Sequence, residues 1–232
     1  MILLVIIKFQ ESVFNHKPDT INQKHFFMKV ELFTVGPLGT NCYLVTCEKT
    51  NQSVIVDPGG ITEKLIEAVK KTDLSCILLT HGHFDHIQGV GEIVKMTGVP
   101  VMIHQLDSYM LTDPVHNGSF MIGTEIKAPM ASRFLSGGDE VAFGESSLKV
   151  VHTPGHTEGG ISFIDDNNFI IGGDTLFRLS VGRWDLPGGD YETLVETLRS
   201  TFLPLPDSME LYPGHGDIST IGFEKTHNQF LQ

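Results

Sequence analysis

Short apolar runs recur along the chain from residue 30 onward, each closed by glycine, proline or an acidic turn. Residues 30–35 and 42–46 read as strands separated by Gly36-Pro37-Leu38-Gly39. A third strand, 53–56, ends in Asp57-Pro58-Gly59-Gly60. Leu65, Ile66 and Val69 then keep helical spacing within 62–71. Residues 76–79 form a buried strand that runs directly into Thr80-His81-Gly82-His83-Phe84-Asp85-His86. The pattern predicts a helix over 87–96 and a strand over 99–103, and then a loop-rich excursion over 113–138 marked by Pro114, Gly118, Gly123, Pro129 and Gly137-Gly138. Strands resume at 147–152, 160–164 and 168–172, followed by a helix over 191–201, a strand at 210–212 and a helix over 222–231. This mixture predicts a layered α/β architecture, two sheets covered by helices.

The first residues break the pattern. The apolar run 1–7 is interrupted by Lys8, lacks a basic leader and is not followed by a small-x-small cleavage site, which argues against a signal peptide. Residues 10–27 are polar and without period. The expected organisation is an extension over 1–27, poorly ordered and outside the fold, and one domain over 28–232, with Met28 a natural initiator. No apolar stretch approaches the roughly 20 residues a membrane span needs. Sixteen basic against 28 acidic residues give a net charge of −12. That excess disfavours nucleic acid held through its phosphates and docking on an anionic membrane surface. Cys42, Cys47 and Cys76 form neither a CxxC pair nor a disulfide framework, so a reducing, cytoplasmic compartment is expected. Cys42 and Cys47 read as small core or edge residues and not as ligands. Nothing in the pattern points to a particular oligomer.

Eleven histidines are many for 232 residues, and their placement carries the chemistry. His81, His83, Asp85 and His86 lie within six positions at the end of a strand. Imidazole nitrogen and carboxylate oxygen both suit zinc and related divalent ions. In a tight loop His81 and His83 can converge on one ion while Asp85 and His86 point toward a second. His156, Asp174 and His215 each follow an apolar strand and are flanked by glycine or proline, where loops present functional side chains. His104, His116 and His227 have no partnering motif and read as ordinary polar residues, while His152, nearer the site, reads as structural. Arg183 and Asp185 flank Trp184 and either pair with each other or shape a substrate mouth.

The ordered set HxHxDH, His156, Asp174, His215 resembles the metallo-β-lactamase fold superfamily from residue 28 to 232. The segments GDTLF (173–177), GRWDLPGGD (182–190), PGHG (213–216) and STIGFEKTHNQFL (219–231) look like its small glyoxalase II-type thioester hydrolases. The resemblance implies an αββα sandwich of two mixed sheets flanked by helices, with the site at one edge. It implies that His81, His83 and His156 hold one metal, that Asp85, His86 and His215 hold the other, and that Asp174 bridges them. Asp85 and Asp174 are then the catalytic carboxylates, and Asp57 supports the metal loop from behind as a hydrogen-bond acceptor. Two divalent ions are expected, zinc first, with iron and manganese also suited to mixed His/Asp donors.

Such a pair can share a hydroxide acidified toward neutrality, a nucleophile that needs no separate base. A thiolate leaves readily because a free thiol has a pKa near ~8.5. The expected activity is therefore hydrolysis of a small-molecule thioester, S-lactoylglutathione or a related hydroxyacyl thiol. Larger glyoxalase II enzymes hold glutathione partly through an added helical region, whereas 17 residues follow His215 here, so the thiol is expected to meet other surfaces. The alternative is a mononuclear-iron persulfide dioxygenase, which shares the fold and the GR-x-D element. Against it stands the Pro-Gly-His-Gly setting of His215. A β-lactamase fits less well because a bridging carboxylate belongs to the thioester-hydrolase pattern. A degenerate binding module does not account for a complete donor set.

Overall fold

The computed structural model describes residues 28–166 and 168–232; the expectation for 1–27 lies outside the described residues. Strands β1 (Met28–Val35) and β2 (Thr40–Cys47) pair antiparallel across a turn whose Gly36 and Gly39 both hold positive φ. Strand β3 (Gln52–Val56) continues the meander. Helix α1 (Glu63–Val69) starts where the Thr62 hydroxyl accepts the Leu65 N–H, and it returns the chain to β4 (Asp73–Leu78), parallel to β3.

The next segment is one helix by its apolar spacing but two in the structure: α2 (Phe84–Ile87) and α3 (Val90–Thr97). The break falls at Gly89, whose N–H donates to Pro58 O at 2.7 Å. An added Cβ there would lie 2.6 Å from the same oxygen, so the close approach requires glycine, and the Gly89 N–H goes to Pro58 instead of to a helical carbonyl. Strands β5 (Val101–His104) and β6 (Arg133–Leu135) complete the sheet. The predicted loop 113–138 thus contains an edge strand, and also a 3₁₀ turn, Ser119–Ile122. The strand escaped prediction because three residues carry no readable period. The first sheet runs strictly in chain order, β1-β2-β3-β4-β5-β6.

The second sheet is built from β7 (Glu140–Phe143), β8 (Ser146–His152), β9 (Ile161–Asp165) and β10 (Phe169–Gly173). A small hairpin follows, β11 (Leu176–Phe177) with β12 (Ser180–Val181). Helix α4 (Tyr191–Thr197), capped by Asp190 and continued by a π turn, Leu198–Phe202, crosses over to β13 (Glu210–Pro213). Strand β14 (Ser219–Thr220) and helix α5 (Ile221–His227) close the described chain, giving the order β14-β13-β10-β9-β8-β7. Both sheets mix parallel and antiparallel pairs.

The layering follows from the alternation of side chains along each strand. In β2, Tyr43, Val45 and Cys47 face the second sheet, meeting Phe143, Phe163 and Ile171 among others. Cys42 and Leu44 face the opposite way, toward Leu65 of α1 and Val90 and Ile93 of α3. The outer face of the second sheet, Ile164, Ile170 and Leu211, packs on Leu194, Leu198 and Ile221. Three apolar layers therefore separate helix, sheet, sheet and helix, the expected αββα sandwich. Strands buried on both faces read as continuous apolar runs, as the sequence of β2 does.

Candidate metal centre

The sandwich brings strand ends from both sheets to one edge. His81 and His83 follow β4 directly, and Asp85 and His86 sit on α2. His156 comes from the loop after β8, Asp174 follows β10, and His215 follows β13. A hydrogen bond from Ile161 N–H to Thr80 O, 2.8 Å, ties the two sheets together beside these loops.

The donors fall into two groups. His81, His83 and His156 converge, with His83 Nδ1 2.9 Å and His81 Nε2 3.3 Å from His156 Nε2. Asp85, His86 and His215 converge beside them, with Asp85 Oδ2 3.1 Å from His215 Nε2 and 3.6 Å from His86 Nε2. Asp174 lies between. Its Oδ1 is 3.3 Å from His86 Nε2, and its Oδ2 is 3.6 Å from both His156 Nε2 and His215 Nε2.

Asp57, His81 and His86 also lie close enough to share an ion. The carboxylate of Asp57 is otherwise committed, however. Oδ1 accepts the Thr80 N–H at 2.8 Å, while Oδ2 accepts the Thr80 hydroxyl at 2.6 Å and faces His86 Nδ1 at 3.0 Å. It orients His86 so that Nε2 points at the centre. Asp57 holds this place at φ 51°, a left-handed conformation uncommon for a residue with a side chain.

Three buried polar atoms test whether metal ions fit. His83 Nε2, His86 Nε2 and Asp174 Oδ1 have no hydrogen-bond partner among the described residues. Such groups are costly unless something satisfies them. Imidazole nitrogens and carboxylate oxygens are the groups that bind divalent ions. Burial, with the neighbouring His86, His156 and His83, holds His81 well below the usual imidazole range. His83 is pushed down to about 3 by burial and by His156. Burial works to raise the pKa of Asp174, yet His86, His156 and His215 hold it well below the ordinary carboxylate value. For His86, burial favours the neutral ring, but Asp174, Asp85 and Asp57 draw positive charge toward it. The residues fit a cationic centre.

Several supports carry no residue-type signature and were not anticipated from the sequence. The backbone oxygen of Arg183 lies 2.6 Å from His156 Nδ1, aiming Nε2 inward. Asn41 Nδ2 and the Tyr43 hydroxyl both donate to Pro213 O, at 3.0 and 2.6 Å, and fix the loop that carries His215. Buried Asp107 accepts from Thr157 Oγ1 and Gly159 N–H, each at 2.7 Å, and from Gly82 N–H at 3.3 Å, clasping the His81–His83 loop to the His156 loop. The other histidines among the described residues lie outside the cluster. His104 and His152 stack on each other, His116 pairs with Asp113, and His227 lies against Phe223. The Arg183 guanidinium is held by Asp185 at 2.8 and 3.0 Å, so the two pair with each other, and Arg183, unlike Asp185, lines the cavity described below. The cysteines are free and buried.

A cavity of about 360 Å³ opens over the centre. His83, Asp85, His156, Asp174 and His215 form its polar side, and Leu38, Met121, Ile122, Phe177 and Leu186 its apolar side.

A family model described as the metallo-beta-lactamase superfamily matches residues 35–215. The hydroxyacylglutathione hydrolase GloC of Haemophilus influenzae is 34% identical over 209 residues, spanning 88% of this chain and 98% of GloC. Among solved structures, the B3 metallo-beta-lactamase BLEG-1 is 36% identical with a TM-score of 0.84, covering 88% of this chain and all of that one. TTHA1623 in a di-iron-bound form is 37% identical with a TM-score of 0.77, covering 87% and 100%. Strand order, layering and the edge where the donors gather agree with this likeness, and the chain belongs to the metallo-β-lactamase superfamily.

Proposed function

We propose that this protein is a dinuclear metal-dependent thioester hydrolase acting on S-lactoylglutathione or a related hydroxyacyl thiol. The observation that carries the reading is the position of Asp174, within 3.3–3.6 Å of members of both donor groups. A carboxylate so placed suits a pair of ions sharing one ligand. His81, His83 and His156 would hold the first, Asp85, His86 and His215 the second, and Asp174 both. When bound, such a pair acidifies water held in the site and polarises a carbonyl. The chain's own residues do the rest. Asp57 keeps His86 turned inward, the Arg183 carbonyl does the same for His156, and Thr80 Oγ1 lies 3.0 Å from His81 Nδ1. The cavity admits the thioester above Asp85 and Asp174, and a thiolate can depart with little protonation. A Ser, His and Asp relay is not required.

The donor chemistry suits zinc, and a 37% identical neighbour solved with two irons makes iron the competing assignment. The free, buried cysteines suit a reducing cytoplasm. No helix among the described residues is long and apolar enough to cross a membrane. Metal content of the purified protein, measured alongside assays on S-lactoylglutathione, glutathione persulfide and a β-lactam, tests the proposal. Two metals per chain with thioester turnover is the expected result. One iron per chain with oxygen consumption on the persulfide overturns it in favour of a dioxygenase, and turnover confined to the β-lactam overturns it in favour of a lactamase.

A further inference from the structure

The three imidazoles of the first donor group are held unequally. Thr80 Oγ1 stands 3.0 Å from His81 Nδ1, and the Arg183 carbonyl stands 2.6 Å from His156 Nδ1. His83 has no such support. Its Nδ1 faces His156 Nε2 at 2.9 Å, inside the group, and its Nε2 has no hydrogen-bond partner among the described residues. Its place is therefore set through the backbone on either side. The Phe84 N–H donates to the Asn117 carbonyl at 2.9 Å, and the Gly82 N–H donates to Asp107 Oδ2 at 3.3 Å.

Asp107 holds more than Gly82. It is buried, and the same Oδ2 accepts the Thr157 hydroxyl while Oδ1 accepts the Gly159 N–H, each at 2.7 Å. Gly82 lies between His81 and His83, and Thr157 follows His156, so one carboxylate joins the segments that carry all three donors. None of its three partners is next to Asp85, His86 or His215 in the chain. The approach leaves no room for side chains. A Cβ on Gly159 would lie 2.6 Å from Asp107 Oδ1. One on Gly82 would lie 2.5 Å from Met110 Cβ, on the 3₁₀ turn Gln105–Leu111 that carries Asp107. We propose that Asp107 is a positioning residue for the first ion: by clasping Gly82 to the His156 loop it sets the place of His83, and with it the metal affinity of that group and not of the other. The inference rests on the ligand assignment above and deepens it.

Zinc binding tests this without turnover. The metal-stripped full-length protein is titrated with zinc against a calibrated chelator, both as it is and carrying His215→Ala, which leaves the first group. Asp107→Ala should raise the Kd by roughly 10- to 100-fold in the His215→Ala chain, and should weaken one of the two binding steps by the same factor where His215 is present. Asp107→Asn can still accept from Gly159 and donate to Thr157 Oγ1, but it leaves Gly82 without an acceptor, so its affinity should fall between. The titrations are run where circular dichroism shows the metal-free chain folded. Positioning is then separated from stability, because a folded chain binds with its own Kd however small its stability. Where Asp107→Ala does not fold, Asp107→Asn decides. A folded Asp107→Ala chain with affinity within about threefold of its parent overturns the inference. So does full affinity in Asp107→Asn, or a loss confined to the chain with His215 in place. A parent protein that binds one ion, weakened by Asp107→Ala, supports the clasp and counts against the dinuclear reading alone. A parent that binds none overturns both.

Discussion

At the scale of single residues, the two donor groups make unequal demands on Asp174 and His215. His215→Ala should reduce metal content toward one per chain and lower thioester turnover, with the His81, His83 and His156 group retained. Asp174→Ala should be worse, because one carboxylate serves both groups. By the scale of a lost oxyanion-stabilising interaction, its rate should fall by at least about two orders of magnitude. Metal analysis and thioester rates on both variants check this, and unchanged metal and turnover in the His215 variant would sink the dinuclear assignment. Asp57→Ala removes the acceptor behind His86 and should weaken metal binding by roughly 10- to 100-fold, as loss of such supports does. Competition against a calibrated chelator measures it. Gly214 is a further constraint, since an added Cβ would overlap Asp174 Oδ1 and lie 2.9 Å from His86 Cε1. Gly214→Ala should therefore cost metal affinity out of proportion to any loss of melting temperature. The donors themselves were legible because histidine and aspartate at strand ends stand out from their neighbours. The Arg183 carbonyl and the Pro213 carbonyl held by Asn41 and Tyr43 were not, because every residue has a carbonyl and only the fold decides which one is aimed.

Among the elements, capping separates stability from chemistry. Thr62 caps α1, which packs Leu65 and Val69 on the outer face of the first sheet and carries none of the donors. Thr62→Ala should lower unfolding free energy by about 1 kcal/mol, read by urea denaturation, with metal content and rate unchanged. The strands with long buried runs, β2, β3, β4, β9 and β10, were plain in the sequence. The short edge strands were not. β6 has three residues, and β7 buries only Val141 and Phe143 between turns. Residues 87–96 read as one helix because the Pro58 carbonyl that takes the Gly89 N–H lies some thirty residues away in the chain.

For the molecule as a whole, the centre fastens one sheet to the other. In both donor groups two members come from residues 81–86, against the first sheet, and the third from a loop of the second. Ions bound only by the folded protein stabilise it by mass action, about 4 kcal/mol at a thousandfold excess over Kd. Chelation should therefore abolish turnover and lower the melting temperature by on the order of 10 °C for a chain of this size, with both restored by metal. Calorimetry with and without chelator checks it. The same division of donors sets an order of arrival during synthesis. Domains assemble from the amino terminus as the ribosome releases them, and the first sheet, laid down in chain order, can pair as it emerges. It presents His81, His83, Asp85 and His86 early, but each group waits for a strand of the second sheet: β8 brings His156 and β13 brings His215. On the proposed dinuclear reading, a nascent chain without β13 could complete the first trio and not the second, so loading of the two ions would be sequential and the second would be the mark of a finished fold.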